Sequence, residues 1–462
     1  MIMGSNMAEC HPVAFRWPMK AKENGAKLIH VDPRFTRTSA MCDIHAPIRA
    51  GTDIVFLGAL INYIINSERW NSDPFFQEYV VHYSNAATLI TEDYQDPEDL
   101  DGLFSGFNAE GRRYDFDSWA YQRGEPPITQ PAGLEQNYDD AVAALLPGLP
   151  KTDPGLQDPQ TVFQIMKRHY ARYTPEMVEN VCGCPEEKFL QVAETLLENS
   201  GREGKNLAAA RVGDEWVSPQ WGFAWPANRH IMYSRASADA AGNPWSERKK
   251  YTYWDPNKNS GQTDAGGNPI IGAWVNVAGD SIDFPPTKAP DAPAKEGGTG
   301  LDAHDGASPA IMKPDGKFWL FAPSGAVDGP MPTHYEPWES PVTNPVYGQQ
   351  RNPVAKIWEV PGNPYHNPED AEMYPIVVST YRLTEHYLSG TMSRWLPWLA
   401  ELMPELFVEM SHELAEAQRI QNGDWVTVVT ARGEVEGRAL VTRRMRPFVI
   451  AKTIMGLQQI VC

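Results

Sequence analysis

Gly4-Ser5-Asn6 directly follows an apolar Met1-Ile2-Met3 and precedes residues able to start a helix. A glycine turn in that place presents backbone N–H groups, which suits a phosphate. Asp32 stands 28 residues after Gly4, where the strand-like Lys27–Val31 runs out. A carboxylate at that position can accept from a ribose hydroxyl or a base amine. The turn does not read G-x-G-x-x-G, so a plain NAD site is disfavoured, and another nucleotide-bearing cofactor fits the layout better. Cys182-Gly-Cys184 is the other conspicuous group, but the chain has only five cysteines and no C-x-x-C pair. Zinc and iron–sulfur sites usually want about four ligands. The pair is therefore expected to be two small buried or partly exposed thiols. Five scattered cysteines also exclude a disulfide scaffold.

The elements that must carry these residues alternate. Met1–Met3 reads as the end of a buried strand. His11 to about Glu23 reads as an amphipathic helix, with Pro12 tolerated in its first turn and Pro18 expected to kink or split it. Gly25 closes it, and Lys27–Val31 is the second strand. A loop is expected to Gly51, where Thr52 or Asp53 can cap a helix over Ile54–Ser67. Strand, helix, strand, helix implies a parallel sheet with helices packed on it. Because the chain opens in mid-strand at an internal-looking methionine, further chain is expected upstream. Residues 68–158 are irregular and acidic and are expected to form a solvated, loop-rich face. Helices resume over Val162–Tyr170 and Pro185–Glu198, the latter with an apolar i, i+3, i+4 pattern.

Trp216, Trp221, Trp225 and Trp245 crowd a short span and are expected to pack between layers. Residues 256–316, rich in Gly, Pro, Ala and Asp, read as a surface insertion. Tyr374–Thr380 is a β-type run and Phe407–Met410 a short strand, followed by a helical turn that Ser411 caps. Two alternating strands, Trp425–Ala431 and Val435–Thr442, come after an Asn422-Gly423 turn and look like part of a β-barrel.

The 462 residues suffice for about three domains at roughly 150 residues each. We divide them into an α/β region over 1–200, an irregular Trp-, Gly- and Pro-rich region over 201–370, and a C-terminal region over 371–462. Forty basic against fifty-nine acidic residues leave a net charge of −19. Such a surface disfavours nucleic acid and anionic lipid. No apolar run reaches the roughly 18 residues of a membrane span. The longest, Ile54–Ile65, reads as a buried helix. The opening residues have neither the basic nor the apolar region of a signal peptide.

Several blocks together resemble the molybdopterin oxidoreductases, and within them the catalytic (large) subunit of formate dehydrogenases. They include Gly4–Pro12, Val31–Thr38, Pro47–Asp53, Tyr173–Gly183, Glu215–Arg229, Asp328–Pro337 and Thr380–His386. The variant Tyr387–Trp395 looks like the periplasmic tungsten or molybdenum enzymes of sulfate reducers. The resemblance implies a Rossmann-like parallel-sheet fold with a C-terminal, double-psi-like β-barrel, both truncated here. It implies two molybdopterin guanine dinucleotides clamping one Mo or W. It also implies formate and carbon dioxide as substrate and product, an iron–sulfur partner subunit receiving electrons, and a periplasmic location, with the cytoplasm as the alternative.

By that resemblance Gly4, Ser5 and Asn6 approach a pyrophosphate. Asp32 and Arg34 line a guanosine pocket with Gly51 and Asp53 beside them, so Asp32, Arg34 and Asp53 are expected around one hollow. A carboxylate can take paired N–H donors from guanine, and Arg34 can neutralise phosphate. Thr380, Arg382, Thr384, His386, Thr391 and Ser393 match the segment that meets the pterins. The family's four-cysteine [4Fe–4S] segment and its metal-bound selenocysteine or cysteine are absent. The block between about Ser200 and Asn206 reads as a deletion that removes a domain and the active-site arginine. No residue here is therefore assigned a catalytic or metal-ligating role. A non-catalytic cofactor-binding or subunit-interaction fragment, or another molybdopterin oxidoreductase, remains the alternative. The missing domain should leave apolar faces uncovered and make the chain dependent on a partner.

Overall fold

The computed structural model describes residues 1–123, 150–199, 252–276, 319–323, 328–337, 340–355, 373–380, 383–387, 390–430, 433–450, 454–457 and 459–461, with short strands at 211–212, 215–216, 225–226 and 310–311. The fold is mixed α/β with small parallel and mixed sheets. The first sheet holds β1 (Ile2–Met3), β2 (Ile29–Val31) and β3 (Ile44–Ala46), all parallel and in that spatial order. Between β1 and β2 lie α1 (Met7–Cys10) and α2 (Pro12–Glu23), and α3 (Arg37–Met41) joins β2 to β3. The third strand and its helix replace the loop expected before Gly51. They escape a periodicity reading because each is five residues or fewer. Pro18 lies inside α2 without splitting it.

α4 (Asp53–Ile65) is apolar nearly all round and is correspondingly buried, with Val55, Phe56, Ala59 and Leu60 inside. It packs on α5 (Val162–Tyr170), α6 (Pro175–Cys182) and α7 (Glu186–Glu198). Phe56 meets Phe189 edge to face at 5.5 Å. Gly58 permits the close approach, since a Cβ there would stand 2.9 Å from the Tyr173 ring. Thr52 holds the N-cap position of α4 without a side-chain cap.

The described residues within 68–158 correct the expectation of a solvated face in part. Ile90, Tyr94, Phe104, Trp119 and Tyr121 are buried in the same core as α4. Two of the acids that suggested solvent, Asp96 and Glu98, point to basic residues on or beside α5, while Glu92, Asp93, Asp99 and Asp101 are exposed. Asp96 Oδ2 lies 2.7 Å from Arg168 Nε, and Glu98 Oε1 3.2 Å from Arg172 Nε. Two more helices, Glu68–Ser72 and Pro74–Tyr83, complete this body. The described residues of the expected insertion over 256–316 fall in an antiparallel hairpin, Thr252–Thr263 with Pro269–Asn276, mostly exposed where its side chains are described, and in the short strand Ala310–Ile311 paired with Trp225–Pro226. The packing of the clustered tryptophans and the Ser200–Asn206 block lie outside the described residues.

The C-terminal part is a five-stranded mixed sheet. Its strands run in the order Val377–Ser379, Gln459–Val461, Phe407–Ser411, Gly433–Thr442, Trp425–Thr430. Phe407–Ser411 runs parallel to Gly433–Thr442, and Trp425–Thr430 antiparallel to it. Gly423 turns the chain with φ +91°. Ser411 caps the helix His412–Gln418, accepting from the Leu414 N–H at 3.1 Å. Val408, Met410, Leu414, Ala415 and Ala439 form its own small core.

Candidate functional site

A cavity of about 810 Å³ opens where the C-terminal ends of β1 and β2 face the segment 379–399. In parallel α/β sheets ligands bind outside the carboxyl ends of the strands, and volumes of roughly 300–1,000 Å³ are ordinary for small-molecule sites. One wall holds Gly4, Ser5, Asn6, Asp32 and Arg34, and the other Thr380, Thr384, His386 and Ser393. Nine of the expected site residues are thus brought together from opposite ends of the chain.

The turn after β1 is strained. Gly4, Ser5 and Asn6 have φ of +60°, +65° and +41°. A left-handed conformation costs a residue with a side chain roughly 1–2 kcal/mol. The surroundings hold it there. The Gly4 N–H extends the ladder to Val31 O at 2.8 Å, and the Asn6 N–H donates to Gly4 O at 2.9 Å. Thr38 Oγ1 donates to Asn6 Oδ1 at 3.1 Å while accepting from the Ala8 N–H at 3.0 Å.

Asp32 sits at the next strand end, its side chain 13% exposed. Its Oδ1 accepts from the Arg34 N–H at 2.8 Å. Burial lifts its carboxyl above the ordinary carboxylate value, with that N–H and the Arg34 charge pulling the other way. Its carbonyl accepts from His45 Nε2 at 2.9 Å.

Arg34 departs from the expected role. Its guanidinium is buried and donates from Nη1 to Glu409 Oε2 at 2.7 Å. Glu409 is fully buried, and its other oxygen lies 3.0 Å from Arg444 Nε. The Arg34 charge is therefore already matched by a carboxylate 375 residues away. The ion pair, with the Phe35 N–H donating to Arg444 O at 2.8 Å, joins the β2 end to the C-terminal sheet, whose edge strand Val377–Ser379 leads into the other wall of the cavity. Sequence reasoning missed Glu409. The available signal was a lone acid in the apolar strand Phe407–Met410, since a buried charge needs a partner.

His386 and Ser393 also face inward more than expected. His386 Nδ1 lies 3.1 Å from Ser393 Oγ, and Nε2 lies 3.0 Å from Met403 O. The Tyr387 N–H donates to the same Ser393 Oγ at 3.0 Å. These groups brace the wall, while the exposed Thr380 and Thr384 present hydroxyls from it.

Three expected residues lie outside the cavity. Asp53 is exposed at the start of α4, so the common hollow expected for Asp32, Arg34 and Asp53 is shared by the first two alone. Gly51 serves a close approach instead. At φ +84°, a Cβ there would stand 2.7 Å from Pro337 Cγ. Thr391 is exposed and does not line the cavity. Arg382 lies outside the described residues. Cys10 and His11, of the same Gly4–Pro12 block, also line the cavity.

Cys182 and Cys184 are buried, and burial pushes both thiols up to about 12. Among the described residues, no group of three or more His, Cys, Asp or Glu is placed to hold a metal ion. Among them also, no helix is long and apolar enough to cross a membrane.

Comparison with known proteins bears on the same walls. Residues 376–454 match the Molydopterin dinucleotide binding domain family. The formate dehydrogenase-O major subunit of Escherichia coli (strain K12) is 45% identical over 204 residues, covering 44% of this chain and 17% of that protein. Formate dehydrogenase 2 subunit alpha (cytochrome c-553) of Nitratidesulfovibrio vulgaris is 24% identical over 799 aligned residues, covering 98% of this chain and 73% of that protein. That alignment is far longer than the 462-residue chain, so it runs through long stretches of the relative with no counterpart here. Acetylene hydratase from Pelobacter acetylenicus aligns in structure over all of this chain and 70% of its own, at 14% identity and a TM-score of 0.36, too slight a likeness to define the fold.

Proposed function

We propose that the chain is a molybdopterin oxidoreductase subunit of the formate dehydrogenase alpha type, as its relatives support, and that its cavity holds the nucleotide end of a molybdopterin guanine dinucleotide. The single observation behind this reading is that strand-end residues Gly4–Asn6 and Asp32 share one cavity with a segment of the dinucleotide-binding match. The residues present fit such a group. Asp32, partly buried at the rim, offers a carboxylate to the paired N–H donors of a guanine edge, the Gly4-Ser5-Asn6 backbone approaches the pyrophosphate, and Thr380 and Thr384 offer hydroxyls to the polar fused ring. Arg34 acts through the Glu409 pair by keeping the walls in register. In this reading 1–200 is a Rossmann-like region and 371–462 a double-psi-like barrel region, separated by the irregular 201–370.

When bound, the pterin-held molybdenum or tungsten supplies the two-electron chemistry that the side chains lack. This chain's own residues bind and orient that group. The assembled enzyme would oxidise formate to carbon dioxide, or run the reverse, and pass electrons to an iron–sulfur subunit in the periplasm. The family's metal ligand and substrate arginine lie outside the blocks this chain carries, so turnover is assigned to the assembly and not to residues here.

The test is anaerobic purification with any co-purifying chains, then metal analysis, release of guanine nucleotide by acid, and formate-dependent viologen reduction. Molybdenum or tungsten with guanine nucleotide and formate-dependent reduction is expected. Protein that carries neither metal nor guanine nucleotide overturns the reading.

A further inference from the structure

We infer that His30, which does not itself line the cavity but stands behind the lining residues Gly4 and Asp32, its Nε2 3.8 Å from Asp32 Oδ2, is the positioning residue that aims the Gly4-Ser5-Asn6 turn at a bound pyrophosphate; this rests on the cavity taking the guanine dinucleotide as proposed above. His30 is fully buried in the middle of β2, behind the turn. Its Nε2 lies 3.2 Å from Gly4 O and its Nδ1 2.7 Å from Ser39 Oγ. A carbonyl oxygen can only accept, so Nε2 carries the proton that Gly4 O receives. Burial lowers the pKa of His30, so the ring is neutral near pH 7 and Nδ1 must accept. The Ser39 hydroxyl therefore donates to it, while Ser39 Oγ accepts from the Thr36 N–H at 2.8 Å. Ser39 thereby fixes the tautomer, and the ring N–H, together with the Asn6 N–H on the same oxygen, fixes the direction of the Gly4 carbonyl.

That direction has a consequence on the cavity side. The backbone has no cis peptide among the described residues. In a trans peptide the C=O and the following N–H point opposite ways. Pulling Gly4 C=O inward to His30 turns the Ser5 N–H outward, and Ser5 lines the cavity. The left-handed φ values of Ser5 and Asn6 are the cost of this orientation, and strain of that kind persists only where the surroundings hold it. His30 supplies such a hold from beneath, on the side opposite the ligand.

The test uses the full chain with two soluble probes, guanosine diphosphate and guanosine, titrated by calorimetry. Guanosine lacks the phosphates that the turn would meet. His30→Phe keeps a ring of similar size and removes the donor. It should weaken guanosine diphosphate about tenfold and leave guanosine unchanged, as expected for losing one aligned donor to an anion. His30→Gln, which keeps an N–H near the Nε2 position, should restore most of the affinity. If His30→Phe does not fold, Ser39→Ala, which frees the tautomer, should show the same split at a few-fold size. Equal guanosine diphosphate affinity in the wild type and these variants overturns the positioning role. Wild-type protein that binds neither probe overturns the nucleotide-site reading itself.

Discussion

Removing Arg34 or Glu409 should cost much more than removing both. The pair lies 2.7 Å apart with side chains 4% and 0% exposed, and it joins the β2 end to the strand Phe407–Ser411. Taking one partner from a buried pair costs about 3–5 kcal/mol, because the other charge is left in a poor dielectric, whereas replacing both with apolar side chains of similar volume is often close to neutral. The surroundings divide the two single variants. Arg34→Met leaves Glu409 with Arg444 at 3.0 Å, a half-exposed residue, so its cost should fall near the lower bound of about 3 kcal/mol. Glu409→Gln leaves two guanidinium groups without their shared carboxylate and should approach about 5 kcal/mol. Arg34→Met with Glu409→Met should cost only about 1–2 kcal/mol, giving a coupling of several kcal/mol in a double-mutant cycle. Urea unfolding followed by tryptophan fluorescence at pH 7 measures all four proteins. High salt should change the result little, since screening acts weakly on buried charges. Single variants that each cost under about 1 kcal/mol, with additive effects, would refute the claim that this pair clamps the two walls.

A second buried pair sets a pH dependence. Arg49 meets Glu336 through two bonds of 2.8 and 2.6 Å, and Ser340 Oγ and His334 add to it. Against the cost of burial, these partners hold the Glu336 carboxyl down at about 2, from an ordinary 4.5. Its contribution, about 3 kcal/mol at roughly 1.4 kcal/mol per tenfold change in proton affinity, is fully present above pH 4.5 and is lost as pH falls toward 2. Glu336→Gln should flatten the acid limb of a stability-against-pH curve. Gly51→Ala should lower the melting temperature by the equivalent of about 1–3 kcal/mol, through its left-handed φ and the Pro337 contact, without altering guanosine diphosphate affinity. Asp32→Asn should weaken guanosine binding about tenfold, as loss of a charged acceptor would, while Asp53→Asn leaves it unchanged. With thiols pushed up to about 12, Cys182 and Cys184 should resist iodoacetamide at pH 8 until the chain is unfolded. Peptide mapping of the alkylated sites reads that outcome.

Local signals carried well from sequence to structure, and distant ones did not. The β1 turn, the strand ending before Asp32, the Ser411 cap and the Asn422-Gly423 turn each depend on a few adjacent residues. Those residues were legible as they stood. The strand-end position of Asp32 was legible for the same reason, since the end of a strand fixes where its side chain stands. Arg34 lines the same cavity as Asp32, but no short-range pattern announces its partner Glu409. Asp96 and Glu98 misled in the same way, while the other acids of 92–101 are exposed as their composition suggests. Composition says solvent, but Arg168 and Arg172 lie some 70 residues further on and turn Asp96 and Glu98 inward. Asp53 was assigned to the hollow through a family block, while the structure sets it on the exposed first turn of α4.

Photolabelling with 8-azidoguanosine diphosphate, followed by mass mapping of the modified peptides, tests the nucleotide cavity most directly. Label confined to peptides spanning Gly4–His11, Asp32–Arg34 or Ser379–Ser393, and competed away by guanosine diphosphate, is the result the account predicts. Competable label concentrated elsewhere, for instance around Trp319–Pro337 where a second cavity of about 530 Å³ lies, would contradict it.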